Sequence, residues 1–170
     1  MKVKRPGLRI IKTSLAVFLS LVLSYLRSEN SLPFYSAIAA VICLKTDVHG
    51  TIKIGLNRIL GSFVGGFFSF IYLILTEKSN INPIINYFFI AMIISFLIWM
   101  MANLKKPNAI TIMAIVFMSI TINHAGEETG ASSFALARTM DTVLGVVAAI
   151  IINWVDFEIR GRLKNKKRRK

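Results

Sequence analysis

Residues 83–102, PIINYFFIAMIISFLIWMMA, run for twenty positions without one charged side chain. A helix of ~20 apolar residues spans the hydrocarbon core of a bilayer, where every backbone polar group must be satisfied inside the segment. The run is one of six apolar segments, at about 8–26, 32–44, 59–75, 83–102, 109–122 and 139–155. With 55% hydrophobic residues and a mean hydropathy of +0.63, a 170-residue chain has too little polar surface for a soluble domain. The fold expected is an all-α integral membrane protein.

The third and fourth segments cross easily. The first crosses if Arg9 and Lys12 extend their charged heads to the headgroups. The second and fifth, about thirteen and fourteen residues, are short. Charge decides whether they cross or turn back. With six crossings and the N-terminus inside, eighteen of the twenty-one Lys and Arg residues face the cytoplasm, leaving Arg27, Lys78 and Arg138 outside. If both short segments were re-entrant, only fourteen would. The positive-inside rule favours six crossings with both termini cytoplasmic. Trp99 and Trp154 then lie toward the inner interface, and Tyr25, Tyr35, Tyr72 and Tyr87 toward the outer one.

The net charge of +13 gathers at the ends, with Lys164, Lys166, Lys167, Arg168, Arg169 and Lys170 closing the chain. Beside membrane spans such a flank reads as an anchor on anionic lipid, not as a nucleic-acid site. The domain expected is 1–156, followed by a basic cytoplasmic tail, 157–170. The basic N-terminus lacks a small-x-small cleavage site after its apolar run, so that run reads as an uncleaved first span. Cys43, the single cysteine, reads as a small buried hydrophobe.

The halves can be superposed. Pro33 opens the second segment and Pro107 precedes the fifth. DVHG (47–50) and NHAG (123–126) follow those segments. Arg58 stands seven residues before Gly65, as Arg138 does before Gly145. Three spans per half, an odd number, make the halves point in opposite directions, an inverted repeat of the kind found in secondary transporters. In such folds the short, proline-led spans flank the substrate site.

Arg58, Gly61, Gly65 and Ser69 share one helix stripe, with Ser62 beside it. Small residues four apart let helices approach closely in lipid, so Gly61, Ser62, Gly65, Ser69 and Gly145 are assigned to helix packing. Arg58 and Arg138 either snorkel or present fixed positive charge at the two mouths of a pathway, where a guanidinium matches a carboxylate. Asp141, on the face of Arg138, either pairs with it or serves as a proton-coupling group. Asp47, His49, His124, Glu127 and Glu128 are the other titratable candidates. HAGEE lacks a second His or Cys, so no metal or other cofactor is expected. Nucleophile motifs, phosphate-binding loops and paired catalytic carboxylates are absent from the sequence, and GSFVGG lacks the Lys-Ser/Thr of a P-loop. An enzyme is not expected.

NRILGSFVGG, after the N-terminal RPGLRIIKTSLAVFLSLVLSYL and a proline-led short span, resembles the R-x-x-G-T/S-x-x-G signature opening the third span of the aromatic acid exporter, or fusaric acid resistance, family. The matching residues are Arg58, Gly61, Ser62 and Gly65. In the second half Arg138, Thr142 and Gly145 hold the pattern, whereas Asp141 stands where Gly61 would. The resemblance implies a six-helix module in the bacterial inner membrane that exports aromatic or other organic carboxylates, using the proton gradient. It also implies an architecture similar to that of the dimeric plant malate channels. Arg58, Arg138 and Asp141 are therefore the candidate substrate residues. A six-span module this small needs a second wall, which a homodimer would supply. The alternatives are a passive anion channel of the same fold and a non-transporting scaffold that docks a partner through its tail.

Overall fold

The computed structural model describes residues 7–27, 31–76, 82–123 and 130–168. Among these residues the regular structure is α-helical. The helices are α1 (Leu8–Arg27), α2 (Pro33–Cys43), α3 (Val48–Thr76), α4 (Pro83–Asn103), α5 (Pro107–Asn123) and α6 (Gly130–Arg168).

Proline starts three of them. Pro33, Pro83 and Pro107 stand in the first turn of α2, α4 and α5, where a missing N–H costs nothing. Asn82 caps α4 by accepting from the Ile84 N–H at 3.0 Å. α4 ends in a Schellman turn. The Lys106 N–H donates to Met101 O at 3.1 Å and the Lys105 N–H to Ala102 O at 3.0 Å. Lys105 takes the left-handed conformation there, φ 55°, a place where glycine is the usual residue.

Two helices run well past their apolar segments. α3 begins at Val48 rather than near residue 59, because Asp47 caps it: its Oδ2 accepts from the Gly50 N–H at 2.6 Å. α6 reaches from Gly130 to Arg168, through polar residues at its head and the basic tail at its foot.

Length separates the helices further. α1, α3, α4 and the 133–160 part of α6 are long and apolar enough to cross a membrane. α2, with 11 residues, spans roughly 16 Å at 1.5 Å per residue, about half the hydrocarbon thickness. α5 has 17. The six expected helices are therefore present in order, and four of them have the length and composition of a crossing.

The solvent logic is that of lipid. α1 buries Lys12, Ala16, Ser20 and Ser24, while Leu8, Ile11, Leu15 and Phe18 are exposed. A water-soluble helix would do the reverse.

The chain forms two compact units. The first comprises Met1–Gly55 and Asp141–Lys170, the second Leu56–Met140. In the first, α1 packs on α2. Gly145 of α6 lies so close to α2 that a Cβ there would stand 2.1 Å from Ser36 O and 2.6 Å from Ala39 Cβ. Likewise a Cβ on Gly55 would meet Val146 Cγ1 at 2.4 Å.

In the second unit α4 packs on α5. The core joins Tyr72 of α3, Ile90, Leu97 and Met101 of α4, and Ala109, Met113 and Phe117 of α5. Tyr72, expected in an interfacial belt, is 6% exposed and sits edge-on to Phe117, its hydroxyl held by the Asn86 side chain. A buried phenol needs such a partner, and Asn86 supplies it.

Candidate functional site

Among its described residues the first unit buries an unusual set of polar groups, and Asp141 is the more enclosed of the two buried charged ones, at 0% exposure against 9% for Lys12. Its Oδ1 accepts from Ser24 Oγ at 2.6 Å. Its Oδ2 accepts from Arg27 Nη2 at 3.0 Å and from the Leu32 N–H at 2.6 Å. Leu32 precedes Pro33 at the N-cap of α2 and has no side-chain oxygen to offer, so the carboxylate of α6 caps that helix from outside. One buried charge thus ties α1, α2 and α6 together. Three donors, one of them cationic, satisfy the hydrogen-bonding needs of a carboxyl group buried away from water.

A second polar centre lies toward the start of α1. Lys12 Nζ donates to Asn153 Oδ1 at 2.5 Å and to Asp156 Oδ2 at 2.8 Å. Asn153 Nδ2 donates to Thr51 Oγ1 at 2.8 Å. The Thr51 hydroxyl donates to Asp47 O and accepts from the Lys45 N–H, both at 3.0 Å. Arg160 Nε holds the other oxygen of Asp156 at 3.0 Å. Lys12 was expected to snorkel to the headgroups. It turns inward instead, 9% exposed, because α6 offers it a carboxylate and an amide.

Between these centres Ser36 Oγ donates to Ser20 O at 2.9 Å. Lys12, Ser20 and Ser24 therefore mark a polar seam along the inner face of α1, roughly 18 Å from Lys12 to Ser24 by helical rise.

Of the residues singled out in the sequence, Arg58 and Arg138 fall in the second unit and Asp141 in the first. Both arginines are buried, 8% and 5% exposed. Arg138 Nη1 donates to Ser119 Oγ of α5. On α3, a Cβ on Gly61 would stand 2.6 Å from Ala109 O, and one on Gly65 2.5 Å from Met113 O. Ser69 Oγ reaches Phe117 O at 3.2 Å, and Ser62 is buried beside the stripe. Asp47 serves as a helix cap and His49 is exposed. His124, Glu127, Glu128 and the NHAG motif beyond Asn123 lie outside the described residues, as do Lys78 and the N-terminal Lys2, Lys4 and Arg5. No group of three potential metal ligands occurs among the described residues.

Sequence reasoning missed Arg27, Ser24, Lys12, Asn153 and Asp156. Charge counting sets Arg27 at the outer side and gives it no partner; the fold pairs it with Asp141. The signal for Lys12 and Ser24 is present in the sequence: with Ala16 and Ser20 they recur every four residues on a helix otherwise Leu-, Ile- and Phe-rich.

The family described as Fusaric acid resistance protein-like matches residues 13–152. The chain belongs to that family. It is 27% identical over 151 residues to the UPF0421 protein YgaE of Bacillus subtilis (strain 168), covering 88% of this chain and 39% of that protein. It is also 27% identical over 162 residues to the p-hydroxybenzoic acid efflux pump subunit AaeB of Musicola paradisiaca (strain Ech703), covering 88% of this chain and 24% of AaeB. The chain thus spans well under half the length of these relatives.

Proposed function

We propose that this chain is the membrane module of an exporter of organic, and in particular aromatic, carboxylate anions, set in the bacterial inner membrane with both termini in the cytoplasm. The observation that carries the reading is the buried polar seam. Lys12, Ser20, Ser24, Asn153 and Asp141 are enclosed by helices whose outer faces are Leu, Ile and Phe. Intramembrane charges are costly and mark transport pathways more often than scaffolds. The likeness to an efflux pump subunit for p-hydroxybenzoic acid supports the direction and the substrate class.

Buried Arg58 and Arg138 supply the fixed positive charge that selects an anion, and Asp141 is the group through which a proton gradient acts. The pairing of each long helix with a proline-led short one, α1 with α2 and α4 with α5, supports the inverted repeat. So does the shared device of a glycine set against a short helix, Gly65 on α5 and Gly145 on α2. A homodimer completes the pathway wall. Arg58→Ala and Arg138→Ala test the reading. Each abolishes carboxylate flux while leaving the protein in the membrane, and Lys restores it only in part. Full flux in both Ala variants contradicts it.

The complete engagement of Asp141 favours a second reading. A carboxylate already holding Arg27, Ser24 and Leu32 suits a strut as well as a proton carrier, and a passive anion channel of the same fold needs no titrating group. Anion current that ignores an imposed pH gradient selects the channel.

A further inference from the structure

At the end of the first unit where α1 begins, two adjoining cavities share Thr46 and Arg160. The larger, about 420 Å³, has Val48, Trp154 and Phe157 as apolar walls, with His49 and Asn153 among its polar ones. Its size is that of a small-molecule site. The smaller, about 70 Å³, is ringed by Arg9, Lys12, Lys45 and Arg160. At ~30 Å³ per water it has room for a group the size of a carboxylate.

The charges are unequal. Four cations face two carboxylates, Asp156 and Asp47, and both carboxylates are engaged. Asp156 holds Lys12 and Arg160, and Asp47 caps α3. Among the described residues the side chains of Arg9 and Lys45 have no ion-pair partner. Positive charge is thus concentrated beside a half-open aromatic cleft, a pairing that suits a molecule with an apolar ring and one anionic group.

We infer that this double cavity is a capture site for a ring-bearing carboxylate, with the ring against Trp154 and Phe157 and the carboxylate among Arg9, Lys45 and Arg160. The inference rests on the export reading, assigns its loading site to this end of the unit, and uses none of Arg58, Arg138 and Asp141.

Trp154 is its own reporter once Trp99, the other tryptophan, is replaced. The Trp99→Phe protein in neutral-lipid nanodiscs is titrated with benzoate and with benzamide, its uncharged counterpart. Benzoate quenches Trp154 saturably and benzamide does not. Adding Arg9→Gln and Lys45→Gln weakens benzoate by roughly fivefold or more, one exposed and one half-buried charge being lost. The ligand series keeps the test independent of how the variant folds. Equal responses to benzoate and benzamide, or a double variant that binds as tightly, overturn the inference. So does a response to anionic-lipid nanodiscs with none to benzoate, which would make the cavity a headgroup site.

Benzoate flux in proteoliposomes is measured on the same proteins. Flux without Trp154 binding removes the site and leaves the export reading. Binding without flux in the parent protein leaves the site and removes the export reading.

Discussion

Gly145 of α6 meets the backbone of α2 at Ser36: an added methyl would stand 2.1 Å from the Ser36 carbonyl oxygen. No rotamer change relieves that contact, since the obstacle is main chain. Gly145→Ala therefore forces α6 away from α2, at a cost of about 2 kcal/mol or more. Gly66→Ala is the control, its nearest neighbour being Thr139 Oγ1 at 3.6 Å, and it leaves stability unchanged or gains up to about 1 kcal/mol of helix propensity. Thermal unfolding in detergent compares the two. A Gly145→Ala protein as stable as Gly66→Ala contradicts the close approach.

Asp141 organises three helices, so its loss exceeds the loss of any one partner. Asp141→Ala leaves the Ser24 hydroxyl, the Arg27 guanidinium and the Leu32 N–H without their acceptor and destabilises by roughly 3–5 kcal/mol. Arg27→Gln costs less, because that side chain is 25% exposed and water replaces part of the ion pair. In a double-mutant cycle followed by unfolding, the pair shows clear coupling. Strictly additive effects would show that the ion pair carries no energy.

Lys12 and Asp156 make a complementary test. Lys12→Met strips Asn153 and one oxygen of Asp156 of their donor and destabilises the fold. Combining it with Asp156→Leu recovers part of the loss, since a buried pair replaced by apolar side chains is often close to neutral. Melting temperatures of the three proteins decide it. A double variant less stable than the sum of its singles contradicts the assignment.

Lys105 holds a left-handed conformation that a side chain resists. Lys105→Gly stabilises the α4–α5 turn by about 1 kcal/mol. Pro at the same position destabilises, because the Lys105 N–H donates to Ala102 O and proline's fixed φ excludes 55°. Unfolding midpoints of the two variants should fall on opposite sides of the parent.

The helices were legible where apolarity and proline coincide. Pro33, Pro83 and Pro107 announce α2, α4 and α5 to within two residues of their starts. The heads of α3 and α6 and the foot of α6 were not, because a hydropathy criterion sees only the part of a helix that meets lipid. Asp47 is legible in principle as an N-cap, but Gly50 and Gly55 behind it weaken the helical signal of the polar stretch that follows. The site was half legible. Asp141 stood out as an acid beside a span, whereas Arg27 is 114 residues from it in sequence and only folding makes the pair. Lys12 was misjudged because a lysine one turn inside a span has two outlets, headgroup or buried acid. The choice depended on Asn153 and Asp156, more than 140 residues away.

The most direct test of the export reading is flux of a labelled aromatic carboxylate in proteoliposomes of the purified protein, with and without an imposed pH gradient. The account predicts saturable flux that rises with the gradient and falls in the Asp141→Asn protein. Absence of flux for several aromatic and aliphatic carboxylates, with the protein folded and inserted, would contradict it.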